Sequence, residues 1–186
     1  MEFNKHFEIK DRHSFLSASK YHWINYSMER LEEVYKNEKA KQLGTRLHAL
    51  ASEHIQLGIP MPDSKETLNM FVNDAIRLGM SSEVPLKYSE NAFGTADAIS
   101  FDGNALRIHD LKTGKGDVHF EQLMVYAAYF CLEYDIHPQD ISIILVLYHL
   151  DDTETMRADP NEVAMIMNKI IAFDKRITEL NTLMGY

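Results

Sequence analysis

Asp110 and Lys112 stand two residues apart at the end of the run Ala105–Lys112 (ALRIHDLK), and Asp97 lies in the run before it, Ala92–Phe101 (AFGTADAISF). Both runs read as strands. Side chains two apart on a strand share a face, so Leu106, Ile108, Asp110 and Lys112 line up. The first two are core residues; the last two sit where that face emerges from the core. On the other run Phe93, Thr95, Asp97, Ile99 and Phe101 share a face. The connecting Asp102–Asn104 (DGN) is a hairpin turn signal. Asp97 is six residues before Gly103 and Asp110 seven after it, so the two carboxylates are set to meet near the far end of the hairpin.

Two carboxylates that close repel, and one pKa rises unless a cation intervenes. Oxygen ligands at such a separation suit Mg2+ or Mn2+. An ion of that kind can present water for attack on phosphorus. Lys112, one pleat beyond Asp110, is placed to orient or deprotonate that water or to stabilise transition-state charge. Taken singly, each acid reads better as a strand-end residue reaching solvent, and Lys112 as an edge gatekeeper. Two other stretches favour reading them as a set.

The first is Gly44–Leu50 (GTRLHAL). Gly44 sits within a helical pattern at a cost of about 1 kcal/mol relative to alanine. It lies one turn before His48, and Ala51 and Ser52 lie one turn after. His48 therefore projects from a face of small side chains that another backbone can approach, with its imidazole available as a ligand. His54, His109, His119, His137 and His149 read as structural or solvated.

The second is Gln122 and Tyr126, which share a helix face at i and i+4. An amide and a phenol there can hydrogen-bond a phosphate or Lys112; the simpler reading is a packed tyrosine with its hydroxyl at the surface. The turn Lys112–Gly116 (KTGKG) leads into this helix. Its glycines permit close approach to a phosphate, and Lys115 adds positive charge. The spacing of a P-loop is absent.

These side chains need a scaffold. Ser14–Ile24 has hydroxyl caps and aromatics and reads as a short helix. Asn25–Leu57 reads as helix broken once, with Leu43, Leu47, Leu50, Ala51 and Ile55 at core spacing. Asp63 or Ser64 can cap a second helix, which stops at Gly79. A strand with Pro85, the two strands of the hairpin, the helix Phe120–Tyr134 and the apolar strand Ile141–Tyr148 follow. Pro85 marks its strand as an edge; Ile141–Tyr148 reads as buried on both faces. A last helix begins at Asp159 and Pro160, with Val163, Ile166, Ile170, Ile177 and Leu180 in helical period. The order α-α-β-β-β-α-β-α is an α/β fold, a mixed sheet flanked by helices.

Nothing in the composition divides the chain. Its 186 residues, 45% hydrophobic and 25% charged, suit one domain over 1–186. The net charge of −9 argues against a general nucleic-acid coat, which works by neutralising phosphates. It leaves room for an enzyme with a local basic patch. Cys131 is the single cysteine, so no disulfide or cysteine-ligated cluster forms within the chain, and an apolar helical setting makes it a small hydrophobe. The opening Met1–Phe15 lacks the apolar core of a signal peptide, and the longest apolar run is too short to span a membrane. The expected location is the cytoplasm.

In this order, GTRLH (Gly44–His48), EVPL (Glu83–Leu86), GTADAI (Gly94–Ile99), DLKTGKG (Asp110–Gly116) and QLMVY (Gln122–Tyr126) resemble the PD-(D/E)XK nuclease superfamily. The likeness is closest to its RecB-like and CRISPR-associated exonuclease branch. LSASKYHW (Leu16–Trp23) resembles that branch's first helix. The resemblance covers roughly residues 14–150. It implies a restriction-endonuclease-like core and a Mg2+- or Mn2+-dependent DNA exonuclease. His48, Asp97, Asp110 and the Leu111 carbonyl would hold the metal, with Lys112 catalytic. Gln122 and Tyr126 would support the site or the DNA, and Glu83 is a secondary candidate acid. Many relatives carry an iron–sulfur cluster on four cysteines, which this chain cannot. A small nuclease of this kind looks like a phage or mobile-element exonuclease, with DNA and a recombination partner protein or further copies of itself as partners. The alternative is a catalytically silent DNA-end or protein-binding module, which the acidic net charge mildly favours. A third option, a metallohydrolase built on His48 and the acids and acting on something other than nucleic acid, explains Gln122 and Tyr126 no better.

Overall fold

The computed structural model describes residues 4–9 and 13–185. Residues 1–3, 10–12 and 186 lie outside it, and so does part of the opening stretch in which no signal peptide is expected. The chain has two compact units, residues 1–43 and 44–186.

In the first unit a 3-10 helix, Ala18–Asn25, follows Ser17, whose side chain accepts from the Ser19 amide. Trp23 Nε1 donates to the Ser17 carbonyl at 2.9 Å, which ties the turn to its own start. Helix α1 spans Met28–Leu57. The single break expected between Asn25 and Leu57 does not occur. The Lys, Glu, Ala, Gln and Leu flanking Gly44 are good helix formers, and one glycine within such a run is tolerated.

The second unit is built on a five-stranded sheet in the order β1 (Ser81–Ser89), β2 (Ala92–Phe101), β3 (Ala105–Leu111), β4 (Ser142–His149) and β5 (Asp152–Arg157). Only β3 and β4 pair in parallel. Parallel neighbours need a crossover, and α3 (Glu121–Glu133) lies in it. β1 is an edge, as Pro85 requires.

The sheet separates two apolar clusters. On one side Ile143, Leu145 and Leu147 of β4 join Leu106 and Ile108 of β3, Leu123 and Ala127 of α3, and Val163 of α4 (Pro160–Met184). On the other, Val146 and Tyr148 join Ala51 and Ile55 of α1 and Phe71, Val72 and Ala75 of α2 (Thr67–Arg77). β4 is thus covered on both faces, as its continuous apolar run demands. Cys131 is a buried member of the first cluster, and burial pushes its thiol up to about 11. Among the described residues no helix is long and apolar enough to cross a membrane.

Several expectations need correction. β5 (DTETMR) was not foreseen: it is polar, almost wholly exposed, and paired only through β4. Helix α2 takes no side-chain cap from Asp63 or Ser64. Its first amide, that of Thr67, instead donates to Asp151 Oδ1 from the β4–β5 turn at 3.0 Å. Leu43 and Leu50 of α1 are exposed, as are Ile177 and Leu180 of α4, so only the first turns of α4 serve the core. Phe93 and Thr95 are also exposed, and the alternation of β2 slips across Asp97. Ala96 joins the cluster of Ile99, while Ala98 joins the opposite one.

Candidate metal centre

The hairpin places the two aspartates as its arithmetic implies. β2 and β3 pair from Phe101–Leu106 up to Ala98–His109. The next rung would be Asp97 opposite Asp110, and there the ladder stops. β3 goes on pairing with β4 on its far side, Asp110 with Leu147 and Leu111 with Tyr148. On the near side the strands part. The Leu111 amide, deprived of a strand carbonyl, donates to Asp97 Oδ2 at 2.9 Å. Leu111 therefore meets Asp97 through its amide.

The other oxygen of Asp97 turns to α1, where His48 Nδ1 lies 3.3 Å from Oδ1. The hydrogen bond to Asp97 holds the His48 pKa above its ordinary value, against the opposing effect of burial. Glu83 completes this group. One ligand atom from each of His48, Glu83 and Asp97 lies within 4.8 Å of the others. Glu83 falls between the paired Ser82–Ala98 and Val84–Ala96, level with Asp97. Its φ is +51°, which for a residue with a side chain is a strained, left-handed conformation. Burial, followed by the charge of Asp97, raises its pKa.

Asp110 is not in that trio. Only 2% of it is exposed. Burial raises its carboxyl pKa, with Asp97 adding to the effect and Lys112 opposing it. Lys112 Nζ lies 2.9 Å from Asp110 Oδ2, yet that oxygen has no aligned hydrogen-bond partner. The contact is a close ion pair rather than an aligned hydrogen bond. The ammonium's aligned bond goes elsewhere, to Gln122 Oε1 at 2.7 Å. Gln122 Nε2 in turn donates to the Tyr126 hydroxyl at 3.0 Å. Asp110, Lys112, Gln122 and Tyr126 thus form one continuous polar chain from β3 to α3.

Two glycines make room for this arrangement. A Cβ on Gly94 would fall 2.8 Å from Tyr126 Cε1, so the ring rests on the bare backbone of β2. A Cβ on Gly44 would fall 2.8 Å from Thr113 Oγ1, which lets the β3–α3 turn lie against α1 one helical turn from His48. Gly114 is held by its carbonyl, which accepts from His149 Nε2 at 2.8 Å.

Of the residues singled out from sequence, His48, Asp97, Asp110, Lys112, Gln122 and Tyr126 all come to this region. Glu83, secondary in the sequence, belongs to the closest trio. A neutral imidazole and two carboxylates fit a divalent cation that accepts mixed nitrogen and oxygen ligands. His109, read as structural, is buried behind the site, with Nδ1 3.1 Å from the Tyr148 hydroxyl. That hydroxyl donates to Asp74 Oδ2 at 2.8 Å, so its oxygen accepts from a protonated Nδ1.

A family model described as "Protein of unknown function (DUF2800)" matches residues 77–178, from the end of α2 into α4. No solved structure matches the chain.

Proposed function

The chain belongs to the family described as protein of unknown function (DUF2800), and we propose that it is a Mg2+- or Mn2+-dependent DNA exonuclease on a restriction-endonuclease-like core. The reading includes a role in processing phage or mobile-element DNA. The observation that carries it is the split between β2 and β3, where His48, Glu83 and Asp97 converge beside the Asp110–Lys112 pair. A fold needs no lysine tethered next to buried acids; a phosphodiesterase does.

His48, Glu83 and Asp97 would hold the ion, with Asp110 next to them. When bound, the ion supplies a Lewis acid that polarises the phosphate and activates water. The chain's own groups do the rest. Lys112 presents positive charge where negative charge grows on the phosphate oxygens. Gln122 accepts from Lys112 Nζ and so fixes its direction. Tyr126 accepts from Gln122, which leaves its own hydroxyl proton free for a phosphate oxygen or water. The buried carboxylate of Asp110, close to Asp97, favours cation uptake because a cation relieves their repulsion.

The test is Mn2+-dependent digestion of end-labelled linear, circular and single-stranded DNA by the purified chain, with Lys112→Ala as control. Digestion of linear forms that Lys112→Ala abolishes is the expected result. Equal activity in the variant, or none in the wild type with either metal, overturns the reading.

A further inference from the structure

A cleft of about 300 Å³ opens beside the acidic cluster. Leu47 of α1, Leu68 of α2, Leu111 of β3 and Leu150 of the β4–β5 turn line its walls, and Lys112 and Lys115 stand on it. We propose that this cleft holds the base and sugar of one unpaired nucleotide adjoining the phosphate at the acidic cluster. The inference rests on the nuclease reading and adds to it a subsite.

Three observations select this occupant. Leu111 and Lys112 belong to both places: Lys112 lines the cleft and touches Asp110, while the Leu111 amide binds Asp97. Whatever fills the cleft is thus covalently within reach of the acids if it is part of a nucleic-acid strand. The size is at the lower end for small-molecule pockets, which run from roughly 300 Å³ upward, and suits a single nucleoside rather than a base pair. The chemistry divides as a nucleotide does, with an apolar wall for a base face and cations for its phosphates. Glu66 and Asp151 also line the cleft, bonded only by neutral donors that leave their charge in place, so a phosphate would lie on the Lys112 and Lys115 side. Asp151 Oδ1 accepts from both the amide and the hydroxyl of Thr67, and Glu66 Oε2 accepts from Asn69.

The test measures binding of a fluorescent single-stranded oligonucleotide to the wild-type chain, with Ca2+ in place of Mn2+ so that turnover does not intervene. A series of oligonucleotides carries one abasic site at successive positions from the end. One position should weaken binding about tenfold, what burying roughly 55 Å² of apolar base surface against leucine is worth. The penalty should vanish in Leu150→Glu, which puts a charge into the wall at a side chain already 63% exposed. Should that variant misfold, Lys115→Glu at the exposed turn serves instead, with tighter salt dependence lost alongside general affinity. Equal binding of all abasic oligonucleotides, or an abasic penalty unchanged in Leu150→Glu, overturns the slot. A free deoxynucleoside monophosphate that competes at micromolar concentration also overturns it, because the site would then belong to a free nucleotide. Failure of Mn2+-dependent digestion alongside an intact abasic penalty removes the nuclease reading; digestion without the penalty removes only the slot.

Discussion

Glu83 and Asp97 stand level with each other at a rung that the β1–β2 ladder skips, and Glu83 holds φ at +51° there. A side chain in that conformation costs on the order of 1 kcal/mol. Glycine would remove the strain and the carboxylate together. Glu83→Gly should therefore raise stability by about 1 kcal/mol in urea melts run in EDTA. The same variant should bind Mn2+ at least tenfold more weakly by calorimetry, and Mn2+ should raise its melting temperature less than the wild type's. Unchanged Mn2+ affinity would take Glu83 out of the site.

Lys112 and Asp110 should show coupled effects on stability. Lys112→Met leaves Asp110 buried beside Asp97 without its cation, at a cost of about 1–3 kcal/mol. Adding Asp110→Asn removes the charge that Lys112 offsets. The double variant should recover most of the loss in denaturant melts without metal, while both forms remain inactive. A double variant as unstable as the sum of the two singles would mean that the pair is not coupled.

Gly94 tests how Tyr126 is seated. Gly94→Ala forces the new methyl against a ring carbon at 2.8 Å. The ring must move, and Gln122 loses the hydroxyl to which it donates. Overpacking of this kind costs about 1–3 kcal/mol. In Gly94→Ala/Tyr126→Leu, where no ring remains, the stability loss should be smaller than the two single losses added together. Strict additivity in urea melts would show that the clash is relieved elsewhere.

His109 supplies a pH dependence. Burial pushes its pKa down to about 4, against an ordinary 6.5. The native state thus favours the neutral ring, and between those values the unfolded chain binds more protons. Stability from this residue is full above pH 6.5 and is lost as pH falls from 6.5 toward 4. The total is about 3 kcal/mol, the shift of roughly 2.5 units converted by linkage. Denaturant melts from pH 4.5 to 7.5 in EDTA should show a steeper fall toward acid in the wild type than in His109→Gln. Parallel curves for the two proteins would mean that His109 titrates normally.

The sequence made some of these relationships legible and concealed others, for physical reasons. Asp97 and Asp110 could be placed opposite each other because a short turn fixes the register of a hairpin, and register is a matter of counting. His48 could be singled out because small neighbours along a helix mark a close approach. Glu83 had no such sign. Its role depends on one left-handed residue in a strand of ordinary appearance, and nothing in its neighbours predicts that conformation. β5 was hidden because its stability comes from pairing with β4 rather than from a buried face of its own. The cap of α2 was hidden because Asp151 lies 84 residues from Thr67. Leu43, Leu50, Ile177 and Leu180 misled in the other direction: helical period tells which residues share a face, not whether anything covers it.

Asp97 does two jobs with two oxygens, one closing the gap left where β2 and β3 part and one facing His48. The first job is needed by any descendant that folds; the second, on the proposed nuclease reading, only by one that binds the ion. In a lineage without that chemistry, Lys112 and Glu83 would be free to drift early. Position 97 would remain under selection for an oxygen-bearing side chain, with asparagine the easiest replacement.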